Sequence, residues 1–131
     1  MVNKITLICI FIVLFSCNFS GTIINEITTT DFKSLNSVEN IQLIDVRTIE
    51  EYNTGYIGGA LNIDFYKSSF VDSINVLDKS KTTVVYCKSG NRSSKSALMM
   101  KSLGFKKVYN LKEGMNGWLS NRNEVILDSL N

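Results

Sequence analysis

The sequence predicts an α/β domain whose sheet is parallel and covered by helices, and three observations carry that prediction. Short β-rich or apolar runs alternate with helix-like segments from about Gly21 onward. Such alternation joins strands by crossovers, which makes neighbouring strands parallel and lays helices over the sheet. A length of 131 residues with an apolar content of 44% suits one core. The chain has no proline, and its sequence shows no repeat and no low-complexity linker, so nothing marks a second domain.

The elements follow in order. "TIINEIT" (22–28) is β-rich, and "TTDFKSLNS" continues as one or two helical turns with Thr30 or Asp31 as N-cap. "IQLIDV" (41–46) has the length of a buried strand, and "RTIEEYNTGY" reads as a short helix stopped by Gly55. "ALNI" (60–63) is a brief strand, and "YKSSFVDSINVLD" places Phe70, Ile74 and Leu77 on one helical face. "TTVVYC" (82–87) is a strand. The helix in "SSKSALMMKSLGF" turns Ala97, Leu98, Met100 or the Lys101 stem, and Leu103 inward and stops at Gly104. "KKVYNL" is the last strand, and "EGMNGWLSNRNEVILDSL" finishes in helical turns.

The first residues have a different purpose. "MVNKITLICIFIVLFSC" carries Lys4 and then an apolar run from Ile5 to Phe15 in which Thr6 is the one polar residue. This is the pattern of a signal peptide, and a run of 11 residues is too short to span about 30 Å of hydrocarbon as a helix. Its end, "LFSC", resembles the lipobox of bacterial lipoproteins, with Leu14, Ser16 and Cys17 matching; Phe15 is larger than usual, which leaves ordinary cleavage nearby or an uncleaved short anchor as alternatives. Residues 1–17 are therefore expected to direct export and residues 22–131 to form the domain. Lipidation at Cys17 would tether it to a membrane, placing the exported protein in the cell envelope or periplasm.

Counting then limits the chemistry. Of three cysteines, Cys9 would leave with the signal and Cys17 would be lipidated, so Cys87 is expected to be the one free thiol of the mature domain. No internal disulfide can form. With no histidine in the chain, the usual zinc and copper sites are excluded, and no metal or cofactor is expected. The formal charge of +2 is small and dispersed, which argues against nucleic acid as a partner.

Cys87 ends a predicted strand, where parallel α/β sheets bind their ligands. Lys88, Ser89, Gly90, Asn91, Arg92 and Ser93 follow, leading into a helix. Small residues permit a tight loop whose N–H groups converge over the sulfur, and the helix adds its positive end. Such surroundings favour a thiolate; the plain alternative is a cysteine buried as a small hydrophobe.

The residues that resemble a known family run from about Ile41 to Leu119. "LIDVR" (43–47) is similar to a strand ending in Asp-Val-Arg, and "EEYNTGYIGGALNI" (50–63) to a Glu-Tyr-x-x-Gly-His-Ile segment that closes in Asn-Ile. "VVYCKSGNRS" (84–93), "LGFKKVYNL" (103–111) and "EGMNGW" (113–118) match the active-site loop, the next strand and the closing Gly/Trp motif. Together they resemble the single-domain rhodanese-like sulfurtransferases. Tyr56 and Gly58 depart from the family's usual histidine and proline, which suggests a looser turn before Ala60.

That resemblance implies a three-layer domain with a central, mostly parallel, five-stranded sheet flanked by helices. It implies a Cys87 persulfide that takes sulfane sulfur from a small anionic donor such as thiosulfate and passes it to a thiol or cyanide. The backbone of Lys88 to Ser93 would hold the persulfide's charge. Lys88 and Arg92 would attract the donor. Asp45 and Arg47 would pin neighbouring loops from behind the site, with Glu51 as the partner of Arg47. Trp118 is expected in the core or a pocket wall. The spacing Cys87 to Arg92 is Cys-x4-Arg, one residue shorter than the Cys-x5-Arg of phosphatases sharing the fold, and so suits a sulfur atom better than a phosphoryl group. A monomer is expected. A non-catalytic rhodanese-like binding module is the second reading.

Overall fold

The β-branched and apolar runs of the sequence become five strands in a computed structural model of the chain, which describes residues 24–128. The strands are β1 (Asn25–Ile27), β2 (Gln42–Asp45), β3 (Leu61–Asn62), β4 (Thr82–Tyr86) and β5 (Lys107–Leu111). They form one sheet in the order β1-β5-β4-β2-β3, and every pairing is parallel. The helices are α1 (Thr29–Val38), α2 (Ile49–Asn53), α3 (Phe70–Asn75), α4 (Asn91–Ser102) and α5 (Gly114–Ser120). The expected helix-flanked, five-stranded sheet is what the chain builds. The expected signal peptide, residues 1–17, and the expected lipidation at Cys17 lie outside the described residues.

Side-chain alternation along the strands divides the interior into two cores. On one face Leu43, Val84, Tyr86 and Leu111 pack with Phe32 of α1 and with Met115 and Trp118 of α5. On the other, Ile44, Val85 and Val108 pack with Phe70 and Ile74 of α3 and with Ala97 and Met100 of α4. β4 lies mid-sheet with both faces covered, which is why its sequence reads as a continuous apolar run.

Three local expectations change. The N-cap of α1 is Thr28, whose side chain accepts from the Asp31 N–H at 3.1 Å, because the helix begins one residue before Thr30. In α4 the buried positions are Ser93, Ser96, Ala97 and Met100, the i, i+3, i+4, i+7 stripe, and Leu98, one residue and so about 100° round from Ala97, is exposed. Gly104 does end this helix, at φ +94°. The C-terminal segment stops being helical after Ser120 and runs back across the molecule instead. There Ile126 forms an antiparallel bridge with Tyr56, and the Glu124 carbonyl accepts from the Trp118 indole at 2.8 Å.

Burial gives a direct test of this packing. Ile74→Ala, at a fully buried position, is expected to lower unfolding free energy by about 2–5 kcal/mol. Val76→Ala, two residues on and 84% exposed, should change it by less than about 0.5 kcal/mol. Urea titrations of both variants check the contrast.

Candidate functional site

β4 delivers Cys87 to the carboxyl edge of the sheet, and the chain turns through Lys88, Ser89 and Gly90 into α4. The cysteine is 1% exposed, yet its sulfur is not a bare hydrophobe: the Gly90 N–H donates to Sγ at 3.2 Å and the Ser93 hydroxyl at 3.4 Å. Burial pushes the Cys87 thiol up, but donors from Ser93, Ser89 and Gly90 together outweigh it and hold the thiol below its ordinary value.

Two glycines make this loop possible. Gly90 sits at φ +98°, and a Cβ there would strike the Lys112 carbonyl oxygen. Gly114, at φ +54°, opens α5 directly against the loop, and a Cβ there would strike the Cys87 carbonyl oxygen. That close approach lets the Met115 N–H donate to the Cys87 carbonyl at 2.8 Å and the Asn116 N–H to the Lys88 carbonyl at 2.9 Å. Asn110 adds a bond from Nδ2 to the Gly90 carbonyl at 3.3 Å. With its carbonyls held on this side, the loop is left with the Gly90 N–H turned to the sulfur.

The expected site residues are only partly gathered. Gly90 and Ser93 touch the sulfur, and Ser89 contributes through its backbone. The side chains of Lys88, Ser89 and Asn91 face solvent. Lys88 lines a cleft of about 390 Å³ together with Glu50, Thr54, Met115, Asn116 and Leu119. Arg92 is not a free cation: its Nη1 and Nη2 donate to the two Glu51 carboxylate oxygens at 2.7 and 2.8 Å, and its guanidinium lies 5.6 Å over the Tyr66 ring.

Glu51 was expected to pair with Arg47, and its carboxylate goes to Arg92 instead. Arg47 has its carboxylate partner in Asp45, with Nη2 to Oδ2 at 2.6 Å and Nε to both carboxylate oxygens at 2.9 and 3.0 Å. It also donates to the carbonyls of Glu51 at 3.1 Å and Gly55 at 2.8 Å. Burial works against the Arg47 charge, and the Asp45 carboxylate more than offsets it, so its pKa is raised. Asp45 and Arg47 thus brace α2 and the turn after it, and neither is among the groups that bond the sulfur.

The sequence did not point to the α5 amides, to Asn110 or to Tyr66. Backbone donors carry no residue signature, and a ring becomes a neighbour of Arg92 only when the chain between them is folded. The sole visible hint was glycine at position 114, opening a helix-like segment.

Comparison with known proteins adds to this geometry. A family model for the Rhodanese-like domain matches residues 28–121. A candidate sulfur carrier protein of Bacillus subtilis, YrkF, is 38% identical over 96 residues, covering 72% of this chain and 51% of that protein. The chain therefore spans about half of that relative's length. The thiosulfate sulfurtransferase GlpE of Pseudomonas paraeruginosa is 37% identical over 79 residues, covering 60% of this chain and 70% of that protein. The crystal structure of a rhodanese-like domain protein from Staphylococcus aureus superposes with a TM-score of 0.70 at 29% identity, covering 81% of this chain and all of that one.

Two measurements follow from the bonding. Ser93→Ala removes a donor that favours the ionised form of Cys87, so iodoacetamide alkylation near pH 6 should slow about tenfold, and the gap from the wild type should narrow as the pH rises. For the pair behind the loop, Arg47→Ala leaves a buried carboxylate unpaired and should cost about 3–5 kcal/mol in a urea titration. The folded thiol gives up its proton at lower pH than the unfolded one. Its contribution to stability is therefore complete above the free-thiol value and is lost as pH falls through the folded value.

Proposed function

The chain belongs to the Rhodanese-like domain family, and on that footing we propose that it is a sulfurtransferase in which Cys87 carries sulfane sulfur. The observation that supports this reading most directly is the donor set on the Cys87 sulfur, with Gly90 N–H and Ser93 Oγ both aimed at it. A thiolate needs no histidine base once it is ionised, and the chain has no histidine.

In the proposed reaction the Cys87 thiolate attacks the outer sulfur of a donor such as thiosulfate. A new S–S bond forms, the donor's S–S bond breaks, and its electron pair leaves with sulfite. The persulfide's terminal sulfur then carries the negative charge, held by the same N–H and O–H donors that held the thiolate. An acceptor thiolate or cyanide attacks that terminal sulfur, and Cys87 departs as thiolate, ready for another cycle. The short Cys-x4-Arg loop favours a sulfur cargo over a phosphoryl group. The exposed Lys88 is the loop cation best placed to meet an incoming anion.

The sequence features of residues 1–17 support export, lipidation at Cys17 and residence at the cell envelope as part of this proposal.

Intact-mass measurement after incubation with thiosulfate is the test. One sulfur atom should be added to the protein, and the addition should be absent in Cys87→Ala. No adduct with thiosulfate, a polysulfide or glutathione persulfide would refute the transfer reading and leave a binding module.

A further inference from the structure

The loop that holds the sulfur contains two cationic side chains, and the structure treats them differently. Lys88 faces solvent. Arg92 is the second residue of α4 and close enough to Cys87 to feel its charge, but it is clamped by both oxygens of Glu51 at 2.7 and 2.8 Å. The clamp is itself braced. Glu51 Oε2 also accepts from the Thr48 N–H at 3.1 Å in a capping box at the start of α2, so the carboxylate is held from both sides. The pair is partly shielded, with side-chain exposures of 16% for Arg92 and 31% for Glu51. Hydrogen bonding from Arg92 holds the Glu51 carboxyl down at about 2, so it is charged at neutral pH.

The consequence concerns charge at the mouth of the site. N–H and O–H dipoles from Gly90 and Ser93 stabilise one unit of charge on sulfur at contact range, but dipole fields fall off faster than a monopole's. Attraction of a distant dianion needs net charge; Lys88 supplies one positive charge, and the Glu51 carboxylate cancels the second, that of Arg92.

We infer that Glu51 is a specificity-determining residue: by neutralising Arg92 it tunes the Cys87 site away from dianionic sulfur donors and toward donors of low net charge, such as the persulfide of an aminothiol. The donor preference rests on the sulfur-transfer reading. In the favoured case, Cys87 thiolate bonds to the outer sulfur of R–S–S⁻, the donor's S–S bond breaks, and the electron pair leaves with R–S⁻.

The charge balance itself can be read without any sulfur transfer. Iodoacetate and iodoacetamide are nearly the same size and form the same thioether bond to Cys87 with loss of iodide, but one is an anion and the other is neutral. Their rate ratio cancels both the thiolate fraction and the accessibility of the sulfur, so a loop that merely loosened would not move it. In Glu51→Gln the ratio of iodoacetate to iodoacetamide rates should rise about three- to tenfold over the wild type. Arg92→Gln, which leaves the carboxylate uncompensated, should lower it by a similar factor. Glu51→Asp, which keeps the charge, should stay within about twofold of the wild type.

Either charge-changing variant is decisive alone if the other does not fold. A ratio unchanged in the folded variant, whatever happens to the two rates together, overturns the inference. Parallel intact-mass measurements with thiosulfate and with cysteamine persulfide separate the two proposals. A shifted alkylation ratio without any sulfur adduct refutes transfer and keeps the charge role, while adducts with an unmoved ratio refute the charge role and keep transfer.

Discussion

Two hydrogen bonds, from the Met115 and Asn116 amides to the carbonyls of Cys87 and Lys88, join the end of β4 to the start of α5. Turning a strand into a loop leaves carbonyls without ladder partners at the sheet's edge, and a buried carbonyl must find a donor. Here the donors are the first amides of a helix, which have no partners within their own helix. Each end therefore satisfies the other's unpaired groups. The arrangement requires Gly114 where the two backbones meet and Gly90 where the loop passes under Lys112. It also requires α5 to be anchored, which Trp118 does by packing edge-on to Phe32 at 6.0 Å.

Behind this loop stands a second framework with the opposite chemistry. Asp45 and Arg47 are almost wholly buried, a placement that is costly unless each charge is paired and its remaining donors are used. They are: the guanidinium reaches the Asp45 carboxylate and two backbone carbonyls, those of Glu51 and Gly55. The ion pair thus sets the position of α2 relative to the sheet. Because α2 is set, its Glu51 carboxylate meets Arg92 of α4, 41 residues along the chain. A buried pair that touches no sulfur in this way fixes which charges face the candidate site.

At the turn where Tyr56 and Gly58 replace the family's usual histidine and proline, aromatic and backbone contacts surround the chain. Tyr56 stacks on Tyr52 with ring centroids 4.1 Å apart, and the Tyr52 hydroxyl donates to the Ala60 carbonyl at 2.9 Å. The Tyr56 hydroxyl donates to Asp128 at 2.8 Å, and this bond to a carboxylate is the main reason its pKa is pushed up to about 12. The Tyr86 hydroxyl accepts from the Ile57 N–H at 3.1 Å from the sheet side. Proline would restrict this turn through its fixed φ; here aromatic stacking and the bridge to Ile126 contact it instead.

Much of the fold was legible because it depends on local periodicity: five β-rich runs, helix stripes such as Phe70 and Ile74, and terminators such as Gly104 are readable over a few residues. Cys87 as the candidate nucleophile was legible for a similar reason, since its strand, loop and helix are contiguous. The errors lie where distant segments compete. Leu98 looked like a core residue by type, but the face of α4 is decided by what β4 and β5 offer it. Glu51 looked like the partner of Arg47 by proximity in sequence, but Asp45 had already filled that guanidinium and α4 presented another. Beyond Ser120 the expected helical turns became an extended strap because Tyr56 and Trp118 gave that segment backbone and side-chain partners. Chain-local features, the candidate nucleophile's setting and the order of elements, follow from short-range sterics and hydrophobic spacing. Which charge neutralises which, and which amides hold the loop, depends on pairings across dozens of residues, and those exist only once the sheet has brought its carboxyl edge and its helices together.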